Sequence, residues 1–178
     1  QVGDITHTTA LLTHNMKLEG LLASVADELP ALREGGVWWL EPTALDPRDK
    51  ISLILYIGEY TPYINTKLVK PEETPNSWKD LLAPRWVGNM TFSEPSVLVA
   101  PYEYIVVLME NKVWDEDYIR ALYRQKLRFT MDLADEFRLL AAGESQLMLR
   151  GSEAQGATFV MEGAPIRAIG MKEGVVVG

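Results

Sequence analysis

The sequence predicts an α/β fold in which a mostly parallel sheet is covered by helices. Three observations carry that prediction. From Gly88 onward, short apolar segments alternate with longer ones of helical period, in the order β-α-β-α-β with short connections. Most of the helical segments bring their own start or stop signals. The composition, 47% hydrophobic and 24% charged over 178 residues, suits a chain that buries a core without disulfides or metals.

Near the start, Asp4-Ile5-Thr6 reads as a strand leading into a short helix from about Thr8 to Met16. Leu29–Trp39 carries no decisive period, and Glu41–Lys50, with Pro42 and Pro47, reads as a surface loop. Ile51–Ile57 is a strand, and Tyr60–Ile64 continues extended past Gly58. Between Lys70 and Pro84 the prolines frame one short helix, where Ser77 and Asp80 have capping-box spacing and Leu81-Leu82 supply the buried side. Gly88–Phe92 is a short strand. The apolar stretch from Tyr102 to Glu110 follows, with Pro101 in the first turn, where a helix tolerates it.

Asp115-Glu116-Asp117 suits a helix N-terminus, and Trp114, Tyr118, Ile119, Leu122 and Tyr123 form one face behind it. Leu127–Met131 is the next strand. Asp132 then caps a helix with the stripe Leu133, Phe137, Leu140 and Ala141, stopped by Gly143. Ser145–Arg150 is a strand, Ser152–Glu162 a helix ended by Gly163, and Pro165–Ile169 a strand. There is no internal repeat. The change of texture at residues 58–66 marks the boundary expected between two lobes.

Several function classes are excluded or disfavoured. The absence of cysteine removes disulfide scaffolds, thiolate metal sites and thiol catalysis. A net charge of −8 argues against a nucleic-acid or anionic-membrane surface. Apolar runs such as Ile51–Ile57 and Ile105–Met109 are too short to span a bilayer. No nucleophile elbow, phosphate loop, dinucleotide fingerprint or paired-histidine zinc helix occurs, so no catalytic residue, metal ligand or cofactor is expected. His7 and His14 lie seven residues apart and read as ordinary surface or cleft histidines. The acids Asp132, Asp135 and Glu136 sit where a cap and a helix dipole want them.

Three strand-to-helix junctions are more informative, because ligands of open α/β sheets bind beyond the carboxyl ends of strands. They are Ser93-Glu94-Pro95-Ser96, Thr130-Met131-Asp132 and Arg150-Gly151-Ser152-Glu153. In the third, a guanidinium, a glycine and a hydroxyl converge at a helix start and suit a carboxylate, phosphate or phosphonate. The plainer reading is a Ser152 N-cap with Arg150 paired to an acid. Trp38-Trp39, Tyr56, Tyr60 and Tyr63 cluster at the lobe boundary, as cleft lining or as packing.

The stretch beginning Tyr63-Ile64-Asn65-Thr66 closely resembles a known pattern. It continues through Val69, Pro71-Glu72-Glu73, Pro75, Ser77-Trp78, Asp80-Leu81-Leu82, Pro84, Trp86 and Gly88. The pattern belongs to extracellular solute-binding proteins of ABC importers, in the ferric-ion-binding-like branch of the type II periplasmic binding protein fold. Weaker likeness extends to Gly3-Asp4-Ile5, Glu19-Gly20-Leu21-Leu22, Ala142-Gly143-Glu144 and Lys172-Glu173-Gly174-Val175-Val176.

That resemblance implies an α/β chain with parallel-rich sheets flanked by helices and a solute held in the cleft between two lobes. It implies a partial first lobe at 1–60, most of the second at 61–170, and the start of a return at 171–178. It further implies a periplasmic or extracytoplasmic location, a membrane permease as partner, and lobe closure on a small-molecule or ion ligand. Ligand residues expected on this pattern are Thr6, His7 and Thr8 from the first lobe, Tyr60 and Tyr63 near the crossing, and Ser93, Ser96, Arg150 and Ser152 from the second. Ferric-binding members carry a tyrosine pair just after the strand corresponding to Ser145–Arg150. Here that place reads Arg150-Gly151-Ser152-Glu153-Ala154, which suits an organic or phosphorus-containing anion, with Glu153 leaving a metal-assisted option.

A chain shortened in this way is expected to self-associate, or to pack loosely, through its first 60 residues. Two other classes stay open. One is a small-molecule enzyme on a similar scaffold, which lacks a nameable nucleophile–base pair. The other is the effector-sensing module of a transcription regulator, which calls for an adjoining DNA-binding helix pair.

Overall fold

Six short segments, most of them rich in β-branched and aromatic residues, form one sheet. They are β1 (Glu59–Asn65), β2 (Met90–Ser93), β3 (Arg128–Thr130), β4 (Leu147–Ser152), β5 (Ile166–Ala168) and β6 (Val176–Val177). The computed structural model describes residues 10–23, 59–174 and 176–177. The chain divides into two compact units, Gln1–Ile57 with Gly178, and Gly58–Val177. In the first unit the described element is α1 (Ala10–Leu18), close to the expected Thr8–Met16, followed by Gly20 at φ +68°. The strands expected at Asp4–Thr6 and Ile51–Ile57 lie outside the described residues, as does most of the segment on which self-association was expected.

The sheet of the second unit has the order β3-β2-β4-β1-β5, with β6 beside β1. β2 pairs in parallel with β3 and β4, whereas β1 runs antiparallel to β4, β5 and β6. The parallel sheet expected from the alternation is therefore interrupted by β1. That strand arrives from upstream rather than through a crossover helix, so nothing forces it to run with its neighbours.

The helices are α2 (Val99–Glu110), α3 (Glu116–Arg124), α4 (Leu133–Ala142) and α5 (Glu153–Met161). Their ends follow the sequence signals. Asp115 accepts from the Tyr118 N–H at 2.7 Å and Asp132 from the Ala134 N–H at 2.7 Å, while Gly143 takes φ +80° to close α4. The link from β1 to β2 differs from expectation. It holds three 3₁₀ turns, Pro71–Glu73, Trp78–Leu82 and Pro84–Trp86, rather than one helix. Prolines at this spacing break the i→i−4 ladder before an α-helix forms. The capping pair is present: Asp80 Oδ2 accepts from the N–H groups of Ser77 at 3.0 Å and Asn76 at 3.1 Å.

Alternation along the strands sends side chains to two cores. Ile64, Met90, Phe92, Leu147 and Leu149 join Trp78, Leu81, Trp86, Tyr104, Trp114 and Leu122 in the larger one. Tyr63, Met148 and Ile166 join Phe137 and Leu140 in the smaller, with Phe159 stacked on Phe137 at 5.2 Å. The Tyr63 ring passes directly over two glycines. A Cβ on Gly151 would lie 2.6 Å from Tyr63 Cε2, and one on Gly156 would lie 2.6 Å from Tyr63 Cε1. Since Tyr63 is only 4% exposed and meets Phe137 edge-on, its ring has no free direction. Gly156→Ala is therefore expected to cost about 1–3 kcal/mol, the usual penalty of overpacking, in a urea-denaturation comparison. A neutral result would mean that the ring yields freely.

Candidate functional site

The site begins with a proline. Pro62 has no N–H to give to a ladder, and within a paired strand it needs an irregularity opposite. β1 and β4 supply one. Thr61 pairs with Gly151 and Tyr63 with Met148, so two steps along β1 match three along β4, and Leu149 and Arg150 together oppose Pro62. The bulge reverses the alternation. Leu147 and Leu149 face the larger core, yet Gly151, of the same parity, faces Tyr63 and Phe137 of the smaller one. Bulges re-aim side chains. Here the side chain is Arg150, whose guanidinium lies over the Tyr60 ring at 3.9 Å.

Arg150 is 5% exposed, and its Nε has no hydrogen-bond partner among the described residues. Burial holds the guanidinium below its ordinary pKa, with Tyr60, Glu136, Tyr104 and Glu103 offsetting this in part. It stays charged at any physiological pH. Beside it the sheet opens. β2 pairs with β4 only at Met90–Leu147 and Thr91–Met148, while it stays with β3 as far as Ser93–Thr130. The chain leaves β2 for β3 on one side and then crosses to β4 on the other. Such a reversal leaves a crevice at the carboxyl ends of the strands, the usual ligand position in open α/β sheets.

Ser93 lies on one side of that opening and Arg150 on the other. Behind Ser93 sits Glu136 of α4, fully buried, its Oε1 receiving a short hydrogen bond from Ser93 Oγ. Glu136 Oε2 and Thr91 Oγ1 are buried without partners among the described residues. Burial pushes the Glu136 carboxyl up to about 7. The Ser93 hydroxyl, the Arg150 charge and the neighbouring Thr91 pull only partly the other way.

Of the residues expected from sequence, Ser93, Arg150, Ser152 and Tyr60 come together at this end of the sheet, with Tyr60 paired to Ser152 across β1 and β4. Ser96 stands exposed in the turn after β2 and donates to Glu94 Oε1 at 2.6 Å. Ser152 is the N-cap residue of α5 but makes no side-chain cap bond, which leaves its hydroxyl for another partner. Tyr63 goes elsewhere: it is core packing between Phe137 and the two glycines. Thr6, His7 and Thr8 lie outside the described residues.

The sequence places Glu136 as an acid at the helix start, where it does lie in the first turn of α4, and the structure shows in addition that it is buried. The missed signal was periodicity. Positions 133, 136, 137 and 140 form one helical stripe, so a carboxylate at 136 falls on the buried face. Among the described residues no group of three or more His, Asp or Glu side chains is arranged to hold a metal ion. Nor is any described helix long and apolar enough to cross a membrane.

Comparison with known proteins agrees with this architecture. The model of the family described as bacterial extracellular solute-binding protein matches residues 17–145. No curated protein matches the sequence. Among solved structures, the substrate binding protein of an ABC transporter from Agrobacterium tumefaciens is similar over 94% of this chain and 49% of its own, with TM-score 0.76 and 12% identity. The periplasmic binding protein AfuA from Actinobacillus pleuropneumoniae, with fructose-6-phosphate bound, gives TM-score 0.59 and 25% identity over 68% of this chain and 40% of that one. Iron-bound HitA from Pseudomonas aeruginosa gives TM-score 0.63 and 19% identity over 92% and 51%. The chain thus spans about half or less of the length of these proteins. Its fold is that of the type II periplasmic binding proteins, a helix-flanked sheet opening where β2 and β4 part. With the family model covering residues 17–145, the chain belongs to the bacterial extracellular solute-binding proteins.

Proposed function

We propose that this chain is part of the solute-binding component of an ABC importer, and that it captures a small anionic solute for delivery to a membrane permease outside the cytoplasm. Residues 61–170 then represent the second lobe, residues 1–60 part of the first, and 171–178 the return. Binding and release is the activity, in keeping with the solute-binding family to which the chain belongs. The observation that carries the anionic reading is Arg150: a buried guanidinium, aimed by the bulge opposite Pro62 and stacked on Tyr60. Ser152, whose hydroxyl makes no cap bond, follows it on β4, and Ser93 ends β2 across the opening. Charge-assisted hydrogen bonds to a guanidinium favour carboxylates and phosphate esters. The sugar phosphate bound by AfuA is an anion of this class. A ferric ion, as in HitA, would instead meet a fixed positive charge at this point.

The test is calorimetric titration of the protein with D-fructose 6-phosphate. Arg150→Ala is expected to weaken binding by about 1.5–3 kcal/mol, the loss typical of a hydrogen bond to a charged group. An unchanged affinity in a folded variant contradicts the reading. So does a visible charge-transfer band on adding ferric ion to the wild type.

A further inference from the structure

Resting on the anion site just described, we propose that Glu136 is its positioning residue and takes up a proton when an anion binds at Arg150. Glu136 does not reach the crevice itself. It acts through Ser93, whose Oγ it holds from behind while the Ser93 backbone ends β2 at the opening. Its second oxygen, fully buried, has no partner among the described residues.

The charges around it define its behaviour. α4 packs on β1, β2, β3, β4 and α5. β2 offers the uncharged Thr91 and Ser93, and β4 offers Arg150. β1 offers Tyr60 and Tyr63, and α5 offers Glu153. Arg128 of β3 is exposed and paired with Glu144, while Asp135 and Arg138 on α4 itself pair with each other in solvent. Among these, Arg150 is the charge that acts on Glu136. In the empty site an ionised Glu136 is, with Glu103 of α2, a counter-charge of Arg150. An arriving anion takes over that role and leaves the buried carboxylate facing a like charge. A buried carboxylate beside a like charge is relieved by protonation. The proton is available near neutrality, since burial already pushes Glu136 up to about 7.

Calorimetry of the full chain with D-fructose 6-phosphate, in two buffers of different ionisation heat at about pH 7.5, counts the protons taken up. Wild type is expected to take up about half a proton or more beyond the count in Glu136→Gln. Its affinity should fall about tenfold relative to that variant between about pH 6 and about pH 8. Titration of the ligand's own phosphate is common to both proteins and cancels. A wild-type infrared difference spectrum should also gain a protonated-carboxyl band on adding ligand, which decides the matter should Glu136→Gln fail to fold. Equal proton counts with parallel pH profiles, or no such band, overturn the proposal while leaving the anion site standing. Absence of binding at every pH instead removes the site, and this proposal with it.

Discussion

Replacing Trp78 by alanine is expected to lower the free energy of unfolding by about 3–5 kcal/mol, the range for losing a large buried aromatic. Trp78 is 2% exposed. Its ring stands edge-on to Trp114 at 5.1 Å and to Tyr104 at 6.3 Å, and Trp114 lies against Tyr118 at 5.2 Å. The Trp78 carbonyl accepts from the Tyr118 hydroxyl at 2.7 Å. One indole thus ties the link between β1 and β2 to both α2 and α3. Three surrounding rings cannot collapse together into the space it leaves, so most of the cavity term persists. Urea denaturation of the variant against wild type measures the loss. A change below about 1 kcal/mol would show that the aromatic box relaxes around the missing ring.

The second large effect is a pH dependence. The Glu136 carboxyl rises from 4.5 to about 7 on folding. The folded state therefore binds this proton more tightly than the unfolded chain. Between these values the folded protein holds more protons, so stability contributed at this position falls as pH rises. The loss is absent below about pH 4.5 and complete above about pH 7, and two to three pKa units correspond to about 3 kcal/mol. Glu136→Gln removes the titration while keeping the shape. The variant should match wild type in acid and exceed it by up to about 3 kcal/mol at about pH 8. Thermal unfolding across that range checks it, and parallel curves for the two proteins would contradict it.

Much of the second unit was legible because its signals are local. Asp115, Asp132 and Gly143 each fix one helix end with a single side chain or a single φ angle. The resemblance was legible for a related reason. The stretch from Tyr63 to Gly88 that carries it is mostly packing: Trp78, Leu81 and Trp86 are buried, and Ser77 with Asp80 closes a turn. A segment can therefore reveal a family without containing its ligand contacts. Tyr63, taken from sequence for a cleft residue, belongs to this packing set.

What stayed hidden depends on pairings distant in sequence. That Arg150 is aimed at Tyr60 follows from Pro62, almost ninety residues earlier, forcing a bulge into a strand whose identity as its neighbour no local pattern states. The direction of β1 was hidden for the same reason. Glu136 was hidden by a competing signal, since acids in a first helical turn are usually explained by the dipole alone.

Backbone amide mapping by NMR, titrating the protein with D-fructose 6-phosphate, tests the anion site most directly. The largest shifts should fall at Ser93, Glu94 and Ser96 after β2 and at Gly151, Ser152 and Glu153 after the bulge. The recess lined by Glu73, Asp80 and Arg85 should stay unmoved. Shifts centred on that recess, or no shifts at any ligand concentration, would contradict a solute site where β2 and β4 part.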